Sequence, residues 1–142
     1  MSDHVNHPSH YNVHPSGVEA IDVCRYMPFN LGNAFKYVNR AGHKGNRLQD
    51  LEKAKWYLRD EFAFDGAGWK CLPKLVKLLR YFRPKPPKVA LDAMAKVIAS
   101  EPHHITRAFY EALRQFWING HDDDLWTSRF LLVQLIAEVE KP

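Results

Sequence analysis

The sequence lacks the signatures of several large enzyme classes. It has no G-x-x-x-x-G-K-[ST] phosphate loop, no G-x-G-x-x-G dinucleotide turn and no G-x-S-x-G nucleophile elbow. No apolar run approaches the roughly 18 residues that a membrane-spanning helix needs, so we expect no membrane partner. The first fifteen residues contain no apolar segment, which speaks against a secretory signal. P-loop, Rossmann and serine-hydrolase mechanisms therefore find no support in the motifs.

Cysteine is scarce as well, since only Cys24 and Cys71 are present. Two cysteines with nothing to indicate export favour reduced thiols, and we expect an intracellular, cytoplasmic protein. Four histidines near the N-terminus have a spacing that would permit zinc, but no cysteine or carboxylate cluster accompanies them closely. Glu19 and Asp22, one helical turn apart, can share a cation, although Glu19 is first expected to cap its helix. We assign no metal site, and a need for Mg²⁺ stays open.

What is present favours a helical globular protein. The chain of 142 residues is 46% hydrophobic and 25% charged, and its 4 Trp, 8 Phe and 6 Tyr can build a sizeable core. Alternating strand patterns are nearly absent, whereas apolar residues recur at helical spacing. We predict an all-α fold of about six or seven helices. Its parts are residues 1–65, a basic helix and Pro-rich connector at 66–88, and a C-terminal helical bundle at 89–142.

The first half should contain three helices. Ser16 and Glu19 read as a capping box for the first helix, which should run to about Tyr26. Asn30 is expected to cap the second helix, over Leu31–Ala41. Gly42 should end it, as Asn119-Gly120 should end a later helix that carries the apolar residues from Ile105 to Phe116. The third is expected to begin at Asn46 or Arg47 and to reach about Phe62. Four later helices are predicted: near 75–82, at 89–99, around 105–116 and after the aspartates at 122–124.

The second helix carries the most informative pattern. At about 100° per residue, its apolar residues share one arc of roughly 100° and its polar residues share the opposite one. The polar side presents an amide, an ammonium, a phenol and a guanidinium: Asn33, Lys36, Tyr37 and Arg40. Such a set suits an anionic, aromatic ligand, because cations hold phosphate oxygens and a phenol can stack. The alternative is an ordinary solvated face.

The third helix adds polar residues that a site between the two helices would share. Lys55 falls inside the apolar stripe, so its ammonium either reaches past its stem into solvent or meets a buried anion. Asp50, Lys53 and Tyr57 share a neighbouring face. Asp50 and Lys53 can form a local ion pair, or both can line the site.

Four ordered blocks in the first half of the chain resemble the SaV-like family of small bacteriophage proteins. These blocks are HPSHY at 7–11, GVEAID at 17–22, GNAFKYVNR at 32–40 and DLEKAKWYL at 50–58. The resemblance covers about residues 6–60 and makes 1–65 a nucleotide-binding module. The best understood branch of the family consists of nucleotide kinases without a Walker loop. Membership implies transfer of phosphate from a nucleoside triphosphate to a deoxynucleoside monophosphate in an infected host cell.

The resemblance also implies roles for individual positions. Lys36 and Arg40 would contact phosphate, and His10 would join them as a catalytic residue. Other matched positions would line or close the pocket, contact base or sugar, or support the phosphate contacts: His7, Tyr11, Asn33, Tyr37, Asp50, Lys53 and Lys55. Phosphoryl transfer depends mainly on positioning and on charge neutralisation, which agrees with cations on the second helix.

Other functions compete with the kinase hypothesis. An all-α nucleoside-triphosphate pyrophosphohydrolase would hold Mg²⁺ with carboxylate pairs on adjacent helices. Glu19 and Asp22 offer one such pair, whereas Asp50 and Glu52 on the third helix should point apart. A non-enzymatic protein could sequester nucleotides. Nucleic-acid binding is less favoured and would use the basic run from Lys70 to Lys88, which also suits a solvated face. Broad apolar coverage of the last helices suggests a homo-oligomer, although a simple core explains it almost as well.

Overall fold

The structure is a computed structural model that describes residues 13–66 and 83–141, with residues 62–66 as backbone alone. Six helices and no strand lie within these ranges, which confirms the predicted all-α fold. The helices are α1 (Ala20–Cys24), α2 (Phe29–Arg40), α3 (Arg47–Gly66), α4 (Lys88–Ser100), α5 (His104–Asn119) and α6 (Asp122–Glu140). The basic helix predicted near 75–82 lies outside the described residues.

The start of α1 differs from the predicted capping box. The helix begins at Ala20, and the Glu19 side chain makes no capping hydrogen bond. Ser16 instead lies in a turn, where its Oγ accepts from the Val18 amide at 3.1 Å. Gly17 follows with φ 69°, a left-handed conformation that interrupts any helix continuing from Ser16. The prediction was wrong because the hydroxyl serves this turn.

The start of α2 corrects the second cap. Pro28, and not Asn30, precedes the helix, and Asn30 lies in its first turn. The Asn30 amide donates to Asp60 and Glu61 of α3, at 3.1 and 3.2 Å. The side chain therefore joins two helices. The start of α3 agrees with prediction, since the helix begins at Arg47, and Asn46 Oδ1 accepts from the Leu48 amide at 2.9 Å.

The helices pack around one hydrophobic core. Short loops join α2 to α3 and α5 to α6, while α3 packs on α6 and α2 on α5, so these four helices form a closed ring. The pair α1 and α4 packs beside the ring, against α2 and α5 respectively. Phe35 of α2 and Tyr110 of α5 are fully buried with ring centroids 5.2 Å apart. Residues on both sides of the connector at 83–87 thus share this core.

The connector itself is held to α3. Residues 84–87 form no helix or turn, and the guanidinium of Arg83 donates to Glu61 at 2.7 Å. Because the Glu61 side chain is buried, this contact also keeps its carboxylate paired. In the part of the chain that the structure describes, no helix has both the length and the apolar character for a membrane span.

Candidate functional site

The polar face of α2 meets α3 at the surface of the ring. Leu31, Phe35 and Val38 point into the core, which leaves Lys36 and Tyr37 only partly buried on the other side. This division follows from the helical period, as the sequence predicts. Lys36, Tyr37 and Arg40 therefore lie beside α3 at the edge of the core.

Arg40 and Asp50 join the two helices by a buried ion pair. The guanidinium donates to both carboxylate oxygens, from Nη2 to Oδ1 at 2.9 Å and from Nε to Oδ2 at 3.2 Å. The Asp50 side chain is 2% exposed and that of Arg40 is 12% exposed. Two parallel hydrogen bonds of this kind fix orientation as well as charge. Lys53 Nζ lies 4.0 Å from the same carboxylate, so the expected pair with Asp50 is also present.

Three cations surround the Tyr37 ring. The distances to its centroid are 4.5 Å from Arg40 Cζ, 4.9 Å from Lys36 Nζ and 5.6 Å from Lys53 Nζ. All lie within the range in which a cation is attracted by the electrons of an aromatic ring. We call Lys36, Tyr37, Arg40, Asp50 and Lys53 the Tyr37 cluster.

Lys36 is the cation of the Tyr37 cluster whose charge is least compensated by nearby carboxylates. Its Nζ donates to Asn33 Oδ1 at 2.8 Å, and the Asn33 amide in turn donates to the carbonyl of Phe29. Asn33 is neutral, and no carboxylate lies within ion-pair distance of Lys36 among the described residues. The ammonium is therefore held in one place by a neutral partner, and no carboxylate among the described residues offsets its charge.

Aromatic side chains extend the Tyr37 cluster along the surface. The Tyr57 ring stacks on Tyr37 with centroids 5.8 Å apart and planes at 17°. Phe29 and Trp56 then meet Tyr57 edge-on, at 5.8 and 5.0 Å. Phe29 is 74% exposed and Trp56 is 50% exposed. Two exposed aromatic rings thus lie next to the cations.

The predicted site residues divide into three groups. The structure brings Asn33 and the five residues of the Tyr37 cluster together. Lys55 lies apart from them, because its Nζ contacts Glu52 at 3.3 Å and both side chains are more than a third exposed. Its ammonium therefore reaches past the apolar stripe, which is one of the two outcomes considered. His7, His10 and Tyr11 lie outside the described residues.

The carboxylates considered for a cation take other partners. Asp22 lies 3.9 Å from Arg25, and both side chains are half exposed. Asp50 and Glu52 face different partners, Arg40 and Lys55. Across 13–61 and 83–141, no three His, Cys, Asp or Glu side chains are grouped as they would be to hold a metal ion.

A second polar site was missed at the sequence level. A cavity of about 270 Å³ lies where the end of α2 and the start of α3 approach the loop between α4 and α5. Its polar lining includes His14, Asn39, Glu101, His103 and Tyr110. We call it the Asn39 cavity. Its residues are distant in sequence, and no local spacing connects them, so only the fold could reveal it.

A buried histidine and a buried glutamate close one side of the Asn39 cavity. His14 Nε2 lies 3.2 Å from Glu101 Oε2, and His14 Nδ1 lies 2.8 Å from Ser16 Oγ. Glu101 Oε1 also accepts from the His103 amide at 2.9 Å. Burial, with a smaller effect of the Glu101 charge, raises the pKa of the Tyr110 hydroxyl well above its usual value. That phenol therefore stays protonated at any physiological pH.

Comparison with known proteins bears on the first half of the chain. Residues 5–59 match the model of a family described only as a protein of unknown function, DUF3310. The match spans all four motif blocks and the Tyr37 cluster. No curated protein and no solved structure matches the chain. Residues 5–59 are thus similar to the DUF3310 domain, whose description assigns neither ligand nor reaction.

Proposed function

We propose that the chain binds a nucleoside phosphate at the Tyr37 cluster. The best support is that Lys36 of α2 and Lys53 of α3 both lie beside the Tyr37 ring. Among the described residues, Asp50 is the carboxylate in contact with these lysines, through Lys53. Cations already held in position lose little freedom when an anion binds. Phosphate oxygens are anions of this kind, and lysine is a common point charge for them.

The aromatic surface next to the cations accounts for the rest of a nucleotide. Tyr37 is surrounded by cations and stacked against Tyr57, so its ring serves mainly to hold positively charged side chains in place. Phe29 and Trp56 are exposed, and stacking of a base on an aromatic ring contributes about 1–3 kcal/mol. We therefore assign the phosphates to Lys36 and Lys53 and the base to Trp56 or Phe29.

The reaction proposed for this site is phosphoryl transfer. An oxygen of the monophosphate attacks the γ-phosphorus of the triphosphate, the bond between that phosphorus and the β,γ-bridging oxygen breaks, and two nucleoside diphosphates leave. Lys36 and Lys53 would neutralise the charge on the transferred group, which is the main need of such a reaction. Arg40 would position the cluster through Asp50 as well as add charge. This activity rests on the motif resemblance, and the setting it implies is the cytoplasm of a phage-infected cell.

Product analysis tests the reaction. The protein is incubated with a labelled nucleoside triphosphate and a mixture of deoxynucleoside monophosphates, with and without Mg²⁺. Formation of two diphosphates supports the kinase. Release of pyrophosphate would instead indicate the pyrophosphohydrolase, and binding without any product would indicate sequestration.

Binding measurements test the site separately from the reaction. We expect Lys36→Ala and Lys53→Ala each to weaken nucleotide binding about tenfold, because each removes one charge-assisted contact of about 1.5 kcal/mol. Lys55→Ala is the matched control, since Lys55 is paired with Glu52 away from the Tyr37 cluster. Quenching of Trp56 fluorescence on binding would place the base, with Trp56→Phe as reference. Unchanged affinity in Lys36→Ala would sink the proposal.

Two further expectations belong to the same proposal. A nucleic-acid ligand would also use cations beside exposed aromatic rings, but its affinity would fall steeply with salt and mononucleotides would compete poorly. We also propose that the chain forms a homo-oligomer through α6, where Trp126, Phe130 and Val133 are 44–63% exposed. These residues recur at i, i+4 and i+7 and so lie along one stripe.

A further inference from the structure

The Asn39 cavity is distinct from the Tyr37 cluster. Its lining contains none of the five residues of the cluster. At about 100° per residue, Asn39 lies about 160° around α2 from Tyr37 but only about 60° from Lys36, so the two sites lie on adjoining sides of the helix.

Asn39 is the unusual residue of the cavity. It is 5% exposed, and neither its amide oxygen nor its amide nitrogen has a hydrogen-bond partner in the structure. Its side chain is close enough to the Tyr110 hydroxyl to offset part of the rise in that pKa, but it makes no hydrogen bond of ordinary length and angle. Nearly all buried polar groups in proteins are paired, because an unpaired one destabilises the fold. An amide left unpaired in a cavity indicates that something else pairs with it.

Three other polar residues of the wall are already engaged: His14, Glu101 and His103. Both ring nitrogens of His14 have partners, and both carboxylate oxygens of Glu101 have contacts. His103 Nδ1 lies 3.0 Å from the Thr106 hydroxyl, and its Nε2 lies 3.3 Å from Glu138. These contacts hold the wall in place, whereas the Asn39 amide still offers both a donor and an acceptor.

The remaining lining limits the size and character of a ligand. Val38, Leu51 and Leu135 supply apolar walls. The volume of about 270 Å³ is many times the roughly 30 Å³ of one water molecule, yet below the range of most drug-sized pockets, about 300–1,000 Å³. A small, flat molecule with apolar faces and a polar edge fits these walls.

We propose that the Asn39 cavity binds a nucleobase. The Asn39 amide offers one donor beside one acceptor, and this pair matches the edge of a base that presents an acceptor beside a donor. The apolar walls would take the faces of the ring. His43 and Arg47 also line the cavity and are exposed to solvent, where they can meet a phosphate if the base belongs to a nucleotide. This site does not depend on nucleotide binding at the Tyr37 cluster.

Titration calorimetry on the full chain tests the proposal. The probes are adenine, the four common deoxynucleosides and their 5′-monophosphates. We expect at least one base to bind saturably and to shift the side-chain amide signals of Asn39 in ¹⁵N NMR spectra. Asn39→Leu should weaken that binding at least tenfold. It should not lower the melting temperature, because it replaces an unpaired buried amide by an apolar side chain of similar size.

Controls separate this cavity from the other site and identify the ligand's source. Asn119→Leu, at an exposed position, should leave binding unchanged. Asn39→Leu should cause the same loss in a Lys36→Ala background, which would show that the effect does not arise at the Tyr37 cluster. A monophosphate that binds at least tenfold more tightly than its nucleoside, and loses this advantage in Arg47→Ala, identifies a nucleotide. Equal affinities identify the base or nucleoside. If no probe binds, or if Asn39→Leu binds the probes as wild type does, the cavity is not a nucleobase site.

Discussion

Arg40 contacts Asp50 through two guanidinium nitrogens, at 2.9 and 3.2 Å, and this pair is the buried part of the Tyr37 cluster. One member of the cationic face is therefore committed to holding α2 on α3. Lys36 and Lys53, which are less tightly paired, are the cations better placed to receive a ligand. Cationic side chains of one cluster thus hold two helices together at one position and supply charge at the neighbouring ones.

The first prediction concerns the stability that this pair provides. Asp50→Ala removes the buried carboxylate that accepts two hydrogen bonds from Arg40, so we expect the free energy of unfolding to fall by about 3–5 kcal/mol. Denaturant unfolding measures the change. Glu52→Ala is the matched control on the same helix, and breaking its exposed pair with Lys55 should cost less than about 1 kcal/mol. Equal losses in both variants would show that the buried pair is not structural.

Sequence periodicity predicts most of the helices and the division of α2 into two faces. It succeeds there because burial of an apolar stripe decides both helix formation and orientation. It also predicts the glycine endings of α2 and α5, where Gly42 and Gly120 have φ of 90° and 70°. Left-handed backbone of this kind favours glycine, so these positions are readable locally.

The errors have a common physical origin. Ser16 and Asn30 both have side chains suited to helix caps, but tertiary and turn contacts take them. The sequence places four polar residues of α2 on one face: Asn33, Lys36, Tyr37 and Arg40. It does not show that Arg40 forms a buried ion pair with Asp50. The Asn39 cavity is a product of the fold alone, because Glu101 comes from the loop before α5. Local patterns do not contain such long-range pairings.

The second prediction concerns the approach of α1 to α2. A Cβ added at Gly32 would lie 3.1 Å from the backbone oxygen of Cys24 and 3.4 Å from Met27 Cβ. Alanine favours helices over glycine by about 1 kcal/mol, but overpacking against backbone costs about 1–3 kcal/mol. We expect Gly32→Ala to lower the free energy of unfolding by about 1 kcal/mol. A melting temperature at or above that of wild type would contradict this tight packing.

The third prediction concerns the reactivity of Cys24. Burial raises the pKa of its thiol from 9.0 to about 12, against a smaller opposing effect of Lys36, and the thiol donates to the Gly32 carbonyl at 3.3 Å. The thiolate fraction at pH 8 should therefore be about a thousandfold below that of a free cysteine. In a Cys71→Ala background, a disulfide reagent should label Cys24 only after unfolding. Rapid labelling of the native protein would refute this.

The same thiol gives a dependence of stability on pH. The folded-state pKa is above the unfolded value, so the contribution of the protonated thiol is complete below pH 9. It is lost as the pH rises from 9 towards 12. We expect the stability difference between wild type and Cys24→Ala to shrink over that interval. Unfolding curves measured at pH 7, 9 and 10.5 test it, and a constant difference would contradict burial of the thiol.

The last prediction concerns assembly through α6. Trp126, Phe130 and Val133 form an exposed apolar stripe, and the guanidinium of Arg129 lies 5.5 Å from the Trp126 ring centroid. Exposed apolar residues that adjoin along a helix favour contact with another apolar surface. A second copy of the chain offers the same stripe, and two such stripes are self-complementary about a two-fold axis. We therefore expect sedimentation velocity to give a mass above the 16.5 kDa of one chain.

Phe130→Glu should reduce that assembly to the monomer while leaving the melting temperature of the monomer nearly unchanged, because position 130 is 63% exposed. Gln134→Glu adds the same charge to a neighbouring exposed position of α6 and serves as the control. If Gln134→Glu stays assembled while Phe130→Glu does not, the apolar contact and not the added charge is responsible. A wild-type chain that sediments as a monomer at all concentrations would show that α6 is not an interface between copies.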